Sequence, residues 1–161
     1  MLAAVPMRWL SWDFSLQDPT GAKVGEVRLS SWRERGSVVV AGISYKVQRD
    51  GLLGPFVVRA ADGSRVASAV KPSTLRRQFT ITHGEKHYVL KAMSSLRREC
   101  GLFDEANRQL GRVRPESWFT RRARAELGEE VPPLIQAFVV WLTLLLWKRD
   151  GDAVAVAPAS S

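Results

Sequence analysis

The chain has 161 residues and a formal net charge of +8 at pH 7. A chain of this length can bury about two-thirds of its unfolded surface in one domain, so it needs neither disulfides nor a metal to hold a core. Its single cysteine, Cys100, excludes an internal disulfide and with it a disulfide-stapled secreted scaffold. Of the 24 basic residues 18 are arginines. This excess of positive charge favours binding to a polyanion, and a surface charge that only keeps the protein soluble is the alternative.

The N-terminal segment, Met1–Trp12, contains no apolar core of signal-peptide length, and Arg8 interrupts it early. We therefore expect a cytoplasmic protein.

Three segments further along the chain align without gaps, and their starts lie 42 and 44 residues apart. They are Phe14–Val27 (FSLQDPTGAKVGEV), Phe56–Ala69 (FVVRAADGSRVASA) and Cys100–Val113 (CGLFDEANRQLGRV). Each begins with alternating apolar residues, passes through a turn and restarts an apolar pattern, which predicts a β-hairpin. Gly21, Gly63 and Asn107 occupy the same turn position, where a backbone with positive φ is tolerated.

A second hairpin follows the first in two of the copies. Residues 37–47 bend near Gly42, and residues 78–93 bend at the string His83-Gly84-Glu85-Lys86. Each repeat therefore predicts about four short strands, and three repeats predict about twelve.

The C-terminal segment Leu134–Trp147 is almost wholly apolar and follows two prolines. Proline in the first turn predicts a helix over residues 132–149, with Gly151 as its stop and residues 150–161 as a disordered tail. A helix that is apolar on all sides lies in a core or in a bilayer. Its fourteen apolar residues span about 21 Å against a hydrocarbon core of about 30 Å, which favours the core.

Together these elements predict a mainly β fold over residues 1–149. We expect an antiparallel closed β-barrel of about twelve strands around a buried hydrophobic C-terminal helix, because a barrel this wide needs such a plug.

The repeated hairpins, which read F-x-L-x-D-x-x-G-x-x-V-G in the first copy, and the segment Leu134–Trp147 resemble the tubby C-terminal-like superfamily. That group includes tubby proteins, LURP-one-related proteins and phospholipid scramblases. The resemblance covers about Met7 to Arg149 and implies a twelve-stranded barrel around a hydrophobic C-terminal helix. Tubby proteins bind phosphoinositide head groups through basic residues, and scramblases are linked to calcium and membranes. No acidic calcium loop of the D-x-[DN]-x-[DN]-G kind occurs here.

Histidine and cysteine are the residue types that could hold a metal or act as a nucleophile here, and neither predicts an enzyme. His83 and His87 lie four apart, but the intervening Gly84 and the flanking strand patterns favour a hairpin turn over a zinc helix. Cys100 has Arg97 and Arg98 beside it, which would activate a thiol, yet it aligns with the core positions Phe14 and Phe56. We expect no catalytic residue, no metal and no cofactor.

The strongest functional candidates are arginine pairs at predicted turns. They are Arg76, Arg77, Arg97, Arg98, Arg121 and Arg122, with Arg124 nearby. Because the turns of a barrel collect at its ends, these side chains are candidates for one basic rim that binds phosphate oxygens; dispersion as ordinary surface charge is the alternative. We expect four tryptophans to pack at the core or at the barrel ends, namely Trp9, Trp12, Trp32 and Trp118. The alternative is that they flank a binding surface.

These observations predict a monomeric, non-catalytic binding or scaffold protein that docks on anionic phospholipid, peripheral to the membrane, with no small-molecule substrate. A membrane-anchored, scramblase-like protein with residues 134–147 in the bilayer is one alternative. A nucleic-acid-binding module is the other, although no interleaved aromatic and basic strand motif supports it.

Overall fold

The computed structural model describes residues 1–30, 32–72, 76–94, 98–117 and 120–156. Within these ranges twelve strands and one helix follow one another along the chain. The strands are β1 Leu2–Pro6, β2 Asp13–Gln17, β3 Lys23–Leu29, β4 Arg35–Val40, β5 Ile43–Arg49, β6 Phe56–Arg59, β7 Arg65–Val70, β8 Gln78–His83, β9 Lys86–Ser94, β10 Glu99–Phe103, β11 Gln109–Pro115 and β12 Ala123–Leu127; the helix is α1 Pro133–Val156.

All twelve strands form one closed antiparallel barrel in which each strand pairs with its neighbours in the sequence. The ring closes where β1 pairs with β12 on one side, with Leu2 opposite Ala125, and with β2 on the other. This confirms the predicted barrel and refines its repeat, because the fourth strand of the third copy is β1, from the other end of the chain.

The three aligned segments form hairpins of the same geometry, which are β2–β3, β6–β7 and β10–β11. Each hairpin shifts register at the equivalent point, after Leu16, Val58 and Leu102. Each turn contains the same two backbone hydrogen bonds, such as Asp18 N–H to the Ala22 carbonyl at 2.9 Å in the first copy. The turn residue has positive φ in all three, with values of 85° at Gly21, 85° at Gly63 and 60° at Asn107.

The helix fills the barrel, and its side chains from Ile135 to Trp147 are nearly all buried against the inward-facing residues of the strands. Two of its indoles also hold it to the wall. Trp141 Nε1 donates to the Arg28 carbonyl at 2.9 Å, and Trp147 Nε1 donates to the Arg98 carbonyl at 2.8 Å. The core placement predicted from the length of the apolar run is confirmed.

The helix ends later than the sequence predicted. It continues through Gly151 to Val156, so the predictions of a stop at Gly151 and of a disordered tail from residue 150 are wrong up to residue 156. A glycine inside a helix costs only about 1 kcal/mol, and two ion pairs offset it. Asp150 pairs with Arg77, and Asp152 pairs with Lys148 at 3.2 Å. The remaining predicted tail, residues 157–161, lies outside the described residues.

Among the helical residues that the structure describes, no stretch is long and apolar enough to cross a membrane. The alternative that places residues 134–147 in a bilayer would require the barrel to open, because the strands already bury that segment.

The barrel has two ends that differ in their relation to the helix. The helix begins at what we call the entry end, formed by the connecting segments 18–22, 41–42, 60–64, 84–85, 104–108 and 128–132. It emerges at the exit end, formed by the described residues of the connecting segments 7–12, 30–34, 50–55, 71–77, 95–98 and 116–122 and by the helix from Lys148 onward.

Candidate functional site at the exit end

The two ends carry opposite charge. Among the described residues, the connections of the exit end contain eight basic residues (Arg8, Arg33, Lys71, Arg76, Arg77, Arg98, Arg121, Arg122) and three acidic ones (Glu34, Asp50, Glu116). The connections of the entry end contain one basic residue (Arg108) and seven acidic ones (Asp18, Asp62, Glu85, Asp104, Glu105, Glu129, Glu130). The positive charge of the connections is therefore concentrated at one end of the barrel.

The arginines singled out in the sequence all belong to this exit end where the structure describes them. Arg76 and Arg77, Arg98, and Arg121 and Arg122 occupy three consecutive connections around the barrel, and Arg124 is the second residue of β12 beside them. Arg97 lies outside the described residues. Their surroundings differ, so they do not form one uniform row of free side chains.

Two of these arginines contact the C-terminal part of the helix. Arg77 forms an ion pair with Asp150. The Arg98 guanidinium lies 4.4 Å from the centre of the Trp147 ring, and burial lowers its pKa. Both side chains therefore hold the end of the helix in the barrel mouth, and each would have to change partners to bind an anion.

The Arg121 side chain is occupied by hydrogen bonds within the protein. Its guanidinium donates to the backbone carbonyl of Ser11 at 2.8 Å, to that of Arg8 at 3.2 Å and to that of Trp9. It also lies 5.7 Å from the Trp12 ring centre. These contacts fix the connection between β1 and β2, which makes Arg121 a structural residue of the exit end.

The remaining arginines of the set are more open to solvent. Arg76 is exposed. Arg122 and Arg124 share one carboxylate, Glu116, at 3.9 and 3.5 Å. Ion pairs this long between partly exposed groups are weak, so these side chains can turn toward an anion at little cost.

Sequence reasoning missed Lys71, Arg49 and Arg149, which only the fold brings together with Arg77. Arg49 and Arg149 both bind Glu34, with an Arg49 Nη1–Glu34 Oε2 distance of 2.8 Å. Burial lowers the pKa of Lys71, and the positive charges of Arg149, Arg49 and Arg77 lower it further. We call Lys71, Arg49, Arg77 and Arg149 the cation cluster. It joins residues from β5, the β7–β8 connection and the helix, which no sequence window contains.

Exposed apolar side chains lie on the other connections of the same end. They are Trp9, Leu10, Trp32, Leu52 and Leu53, each between 85 and 94% exposed, and we call them the apolar crown. The expectation that Trp9 and Trp32 pack at the core or against the barrel ends is therefore wrong, because both side chains are almost fully exposed. Trp12 does pack partly against the core, and Trp118 lies outside the described residues.

Two clefts open between these elements. One of about 540 Å³ lies between residues 6–9 and 120–122, and one of about 250 Å³ separates the β3–β4 connection from the end of the helix. Arg121 and Arg122 line the first cleft, and Arg33, Arg35 and Arg149 line the second.

The two histidines have hydrogen-bond partners near the entry end, and Cys100 is a buried thiol in β10. His83 Nδ1 lies 2.8 Å from the Val66 carbonyl oxygen, and His87 Nδ1 lies 3.1 Å from Thr82 Oγ1, in the predicted β8–β9 hairpin. Burial raises the pKa of the Cys100 thiol to about 11, which disfavours the reactive thiolate. Within the described residues, no group of three or more histidine, cysteine or acidic side chains is arranged to hold a metal ion.

Comparisons with family models, with curated proteins and with solved structures find no match to this chain. The resemblance to the tubby C-terminal-like superfamily therefore stays a prediction. The barrel with its central helix rests on the structure alone.

Proposed function

We propose that this protein is a non-catalytic binding module that docks on anionic phospholipid through the exit end of its barrel. The observation that carries the proposal is the separation of charge, with eight basic and three acidic described residues in the exit-end connections against one and seven at the entry end. Such a polarised molecule approaches an anionic surface in one orientation, because its acidic end is repelled.

Lipid phosphates match the chemistry of the cation cluster. Burial lowers the pKa of Lys71, the positive charges around it lower that pKa further, and an anion placed there would relieve the repulsion between these charges. Guanidinium groups bind phosphate oxygens through two parallel hydrogen bonds, so Arg49, Arg77 and Arg149 suit head-group phosphates, for which they would exchange their present partners Glu34 and Asp150. The resemblance to tubby-like proteins supports phosphoinositide head groups as the ligand class.

The expected strength follows from the number of cations that reach the surface. Each basic residue near an anionic leaflet contributes about 1 kcal/mol at physiological salt, and this contribution falls with ionic strength. The half-buried Lys71 and the exposed Arg76 and Arg122 would therefore together contribute about 3 kcal/mol, or roughly a hundredfold in affinity.

Flotation of the full chain with liposomes tests the proposal. We expect binding to phosphatidylcholine vesicles that contain phosphatidylserine or a phosphoinositide, and little binding to phosphatidylcholine alone. The triple variant Lys71→Gln, Arg76→Gln, Arg122→Gln should lose most of this binding. The matched control Lys46→Gln, Arg65→Gln, Lys86→Gln removes the same charge from exposed residues of β5, β7 and β9 and should retain it.

Equal binding of the wild type to neutral and anionic vesicles would contradict the proposal, and so would equal losses in the two triple variants. The same preparation titrated with duplex DNA separates lipid from nucleic acid. A protein whose affinity for DNA exceeds that for vesicles, with a steep salt dependence, would be a nucleic-acid-binding module instead.

A further inference from the structure

The apolar crown occupies the apices of three connections. Trp9 and Leu10 lie midway between β1 and β2, Trp32 lies midway between β3 and β4, and Leu52 and Leu53 lie midway between β5 and β6. These strands are consecutive in the barrel, so the three apices are neighbours along one half of the exit-end rim. At the entry end, the exposed large apolar residues are Met1, Val24 and Ile43, and each is only 42 to 56% exposed.

The bases of these connections are fixed by hydrogen bonds. Arg121 holds the β1–β2 connection through the carbonyls of residues 8, 9 and 11. Arg49 Nε donates to the Gly54 carbonyl at 3.2 Å and so fixes the β5–β6 connection. Glu34, at the base of the β3–β4 connection, binds both Arg49 and Arg149. The exposed apolar side chains are thus presented on braced connections.

The rim therefore has two halves. Three consecutive connections carry the apolar crown, and the next three carry the described arginines Arg76, Arg77, Arg98, Arg121 and Arg122. The halves meet where Arg121 and Arg122 line a cleft with Met7 and Trp9. Apolar and cationic groups at the same end of a barrel would meet the same partner at once.

We propose that the apolar crown inserts into the interfacial layer of an anionic bilayer while the basic half of the rim binds its head groups. This inference rests on the proposed function and adds an apolar anchor to it. Tryptophan is enriched at the boundary between head groups and acyl chains, and leucine side chains are apolar enough to enter the acyl-chain region. Insertion adds an apolar contribution to the binding free energy, and salt does not weaken that contribution.

Charge decides against a second copy of the chain as the occupant, and the exposed leucines decide against nucleic acid. A second copy of the chain that met the crown face to face would bring two exit ends together, with their basic connections opposed. Nucleic acid would use Trp9 and Trp32 for base stacking but would leave Leu10, Leu52 and Leu53 in water. A surface that is both anionic and apolar beneath its head groups satisfies both halves of the rim.

The experiment compares the wild type with the variant Trp9→Ser, Leu10→Ser, Trp32→Ser, Leu52→Ser, Leu53→Ser on phosphatidylcholine vesicles containing phosphatidylserine, across a salt series. The control Val24→Ser, Ile43→Ser removes exposed apolar groups at the entry end. We expect the crown variant to bind about a hundredfold more weakly, equivalent to the partial burial of two or three large apolar side chains, and to lose all binding at high salt. The control should bind like the wild type.

A second measurement needs no loss of side chains. Vesicles with brominated acyl chains should quench the fluorescence of the wild type, and the variant Trp9→Phe, Trp32→Phe should lose most of that quenching while binding equally well. Trp141 and Trp147 are buried in the barrel and serve as an internal reference.

Each outcome separates the two proposals. Salt-sensitive binding to anionic vesicles that is identical in the crown variant, without quenching, overturns the anchor and leaves the docking proposal standing. Quenching that is equal on neutral and anionic vesicles supports the anchor and overturns the anionic preference. If light scattering shows a dimer of the wild type that the crown variant abolishes, the crown binds a second copy, and the anchor is overturned.

Discussion

The two ends of this barrel are built from the same repeat but follow different rules. At the entry end the connections between strands alternate between five and two residues, and the three five-residue turns share their hydrogen bonds and a positive-φ residue. At the exit end the connections range from four to seven residues and share neither length nor composition. The entry end is therefore determined by hairpin geometry, whereas the exit end is free to carry other chemistry.

The difference teaches where to look for binding residues in such a barrel. Tight turns are constrained by backbone conformation, so their residues are explained by folding alone. Longer connections on a rigid scaffold are where binding residues concentrate. Exposed tryptophans such as Trp9 and Trp32 have no folding explanation at all, because they contribute nothing to the core.

The largest effect on stability is expected from weakening the packing of the helix that runs between the two ends. Trp141→Ala removes a buried ring that packs edge-on against Phe56 at 5.5 Å, together with its hydrogen bond to the Arg28 carbonyl. We expect the free energy of unfolding to fall by about 3–5 kcal/mol in urea titrations followed by circular dichroism. The matched change Trp32→Ala, at an exposed apex, should cost less than about 0.5 kcal/mol. Similar losses in both variants would show that the helix is not the core.

A smaller effect, confined to the exit end, is expected from Arg121→Ala. The variant loses three hydrogen bonds to carbonyls of the β1–β2 connection, and we expect about 1 kcal/mol of destabilisation. Chymotrypsin should then cleave faster after Trp9 and Leu10, because the connection is no longer braced. The neighbouring change Arg122→Ala removes only an exposed ion pair of 3.9 Å and should leave both stability and cleavage unchanged. Equal cleavage of both variants would assign the bracing to other contacts.

The smallest effect concerns acid and the entry end. The pKa values of Asp18, Asp62 and Asp104 lie below their ordinary value of 3.8, because hydrogen bonds from Thr20, Ser64 and Arg108 favour the charged carboxylates. A carboxyl whose pKa is lowered on folding stabilises the native state above its unfolded pKa, and that contribution is lost as the pH falls through the folded pKa.

We therefore expect the amides of these turns to shift in NMR spectra below pH 4, with midpoints under 3.8. The β1–β2 connection at the exit end should not follow, since its bracing by Arg121 involves no carboxyl group. Asp62→Asn keeps an acceptor for Ser64 and should abolish the titration in that turn alone. Midpoints at or above 3.8 would mean that the carboxylates are not held as the structure shows.

Most of the architecture was predictable because it repeats. Three aligned turns, with Gly21, Gly63 and Asn107 in register, specify the hairpins, and a short apolar run specifies a core helix by its length. The extension of the helix to Val156 was not predictable, because Asp150 gains its partner, Arg77, only in the folded barrel, and the local pair of Lys148 with Asp152 does not by itself outweigh Gly151 as a stop signal.

The site was predictable only in outline. Adjacent arginines indicated a basic rim, since pairs at turns are visible in the sequence. The role of Arg121 in bracing a connection 110 residues away, and the cation cluster around Lys71, depend on tertiary contacts. The apolar crown was missed for a different reason. Sequence patterns give leucine and tryptophan a core role by default, and only the location of their connections shows that these five are exposed.

The pairing of β1 with β12 has a consequence for the order of folding. Leu2 lies opposite Ala125, so β1 cannot complete its hydrogen bonds until synthesis has reached β12. The intervening hairpins are local and can form early, whereas sealing the ring requires the longest loop closure in the molecule. We expect β1 to pair with β2 early, while its other edge stays unpaired during synthesis. The pairing of β1 with β12 would then close the ring as the last step, once the helix is in place.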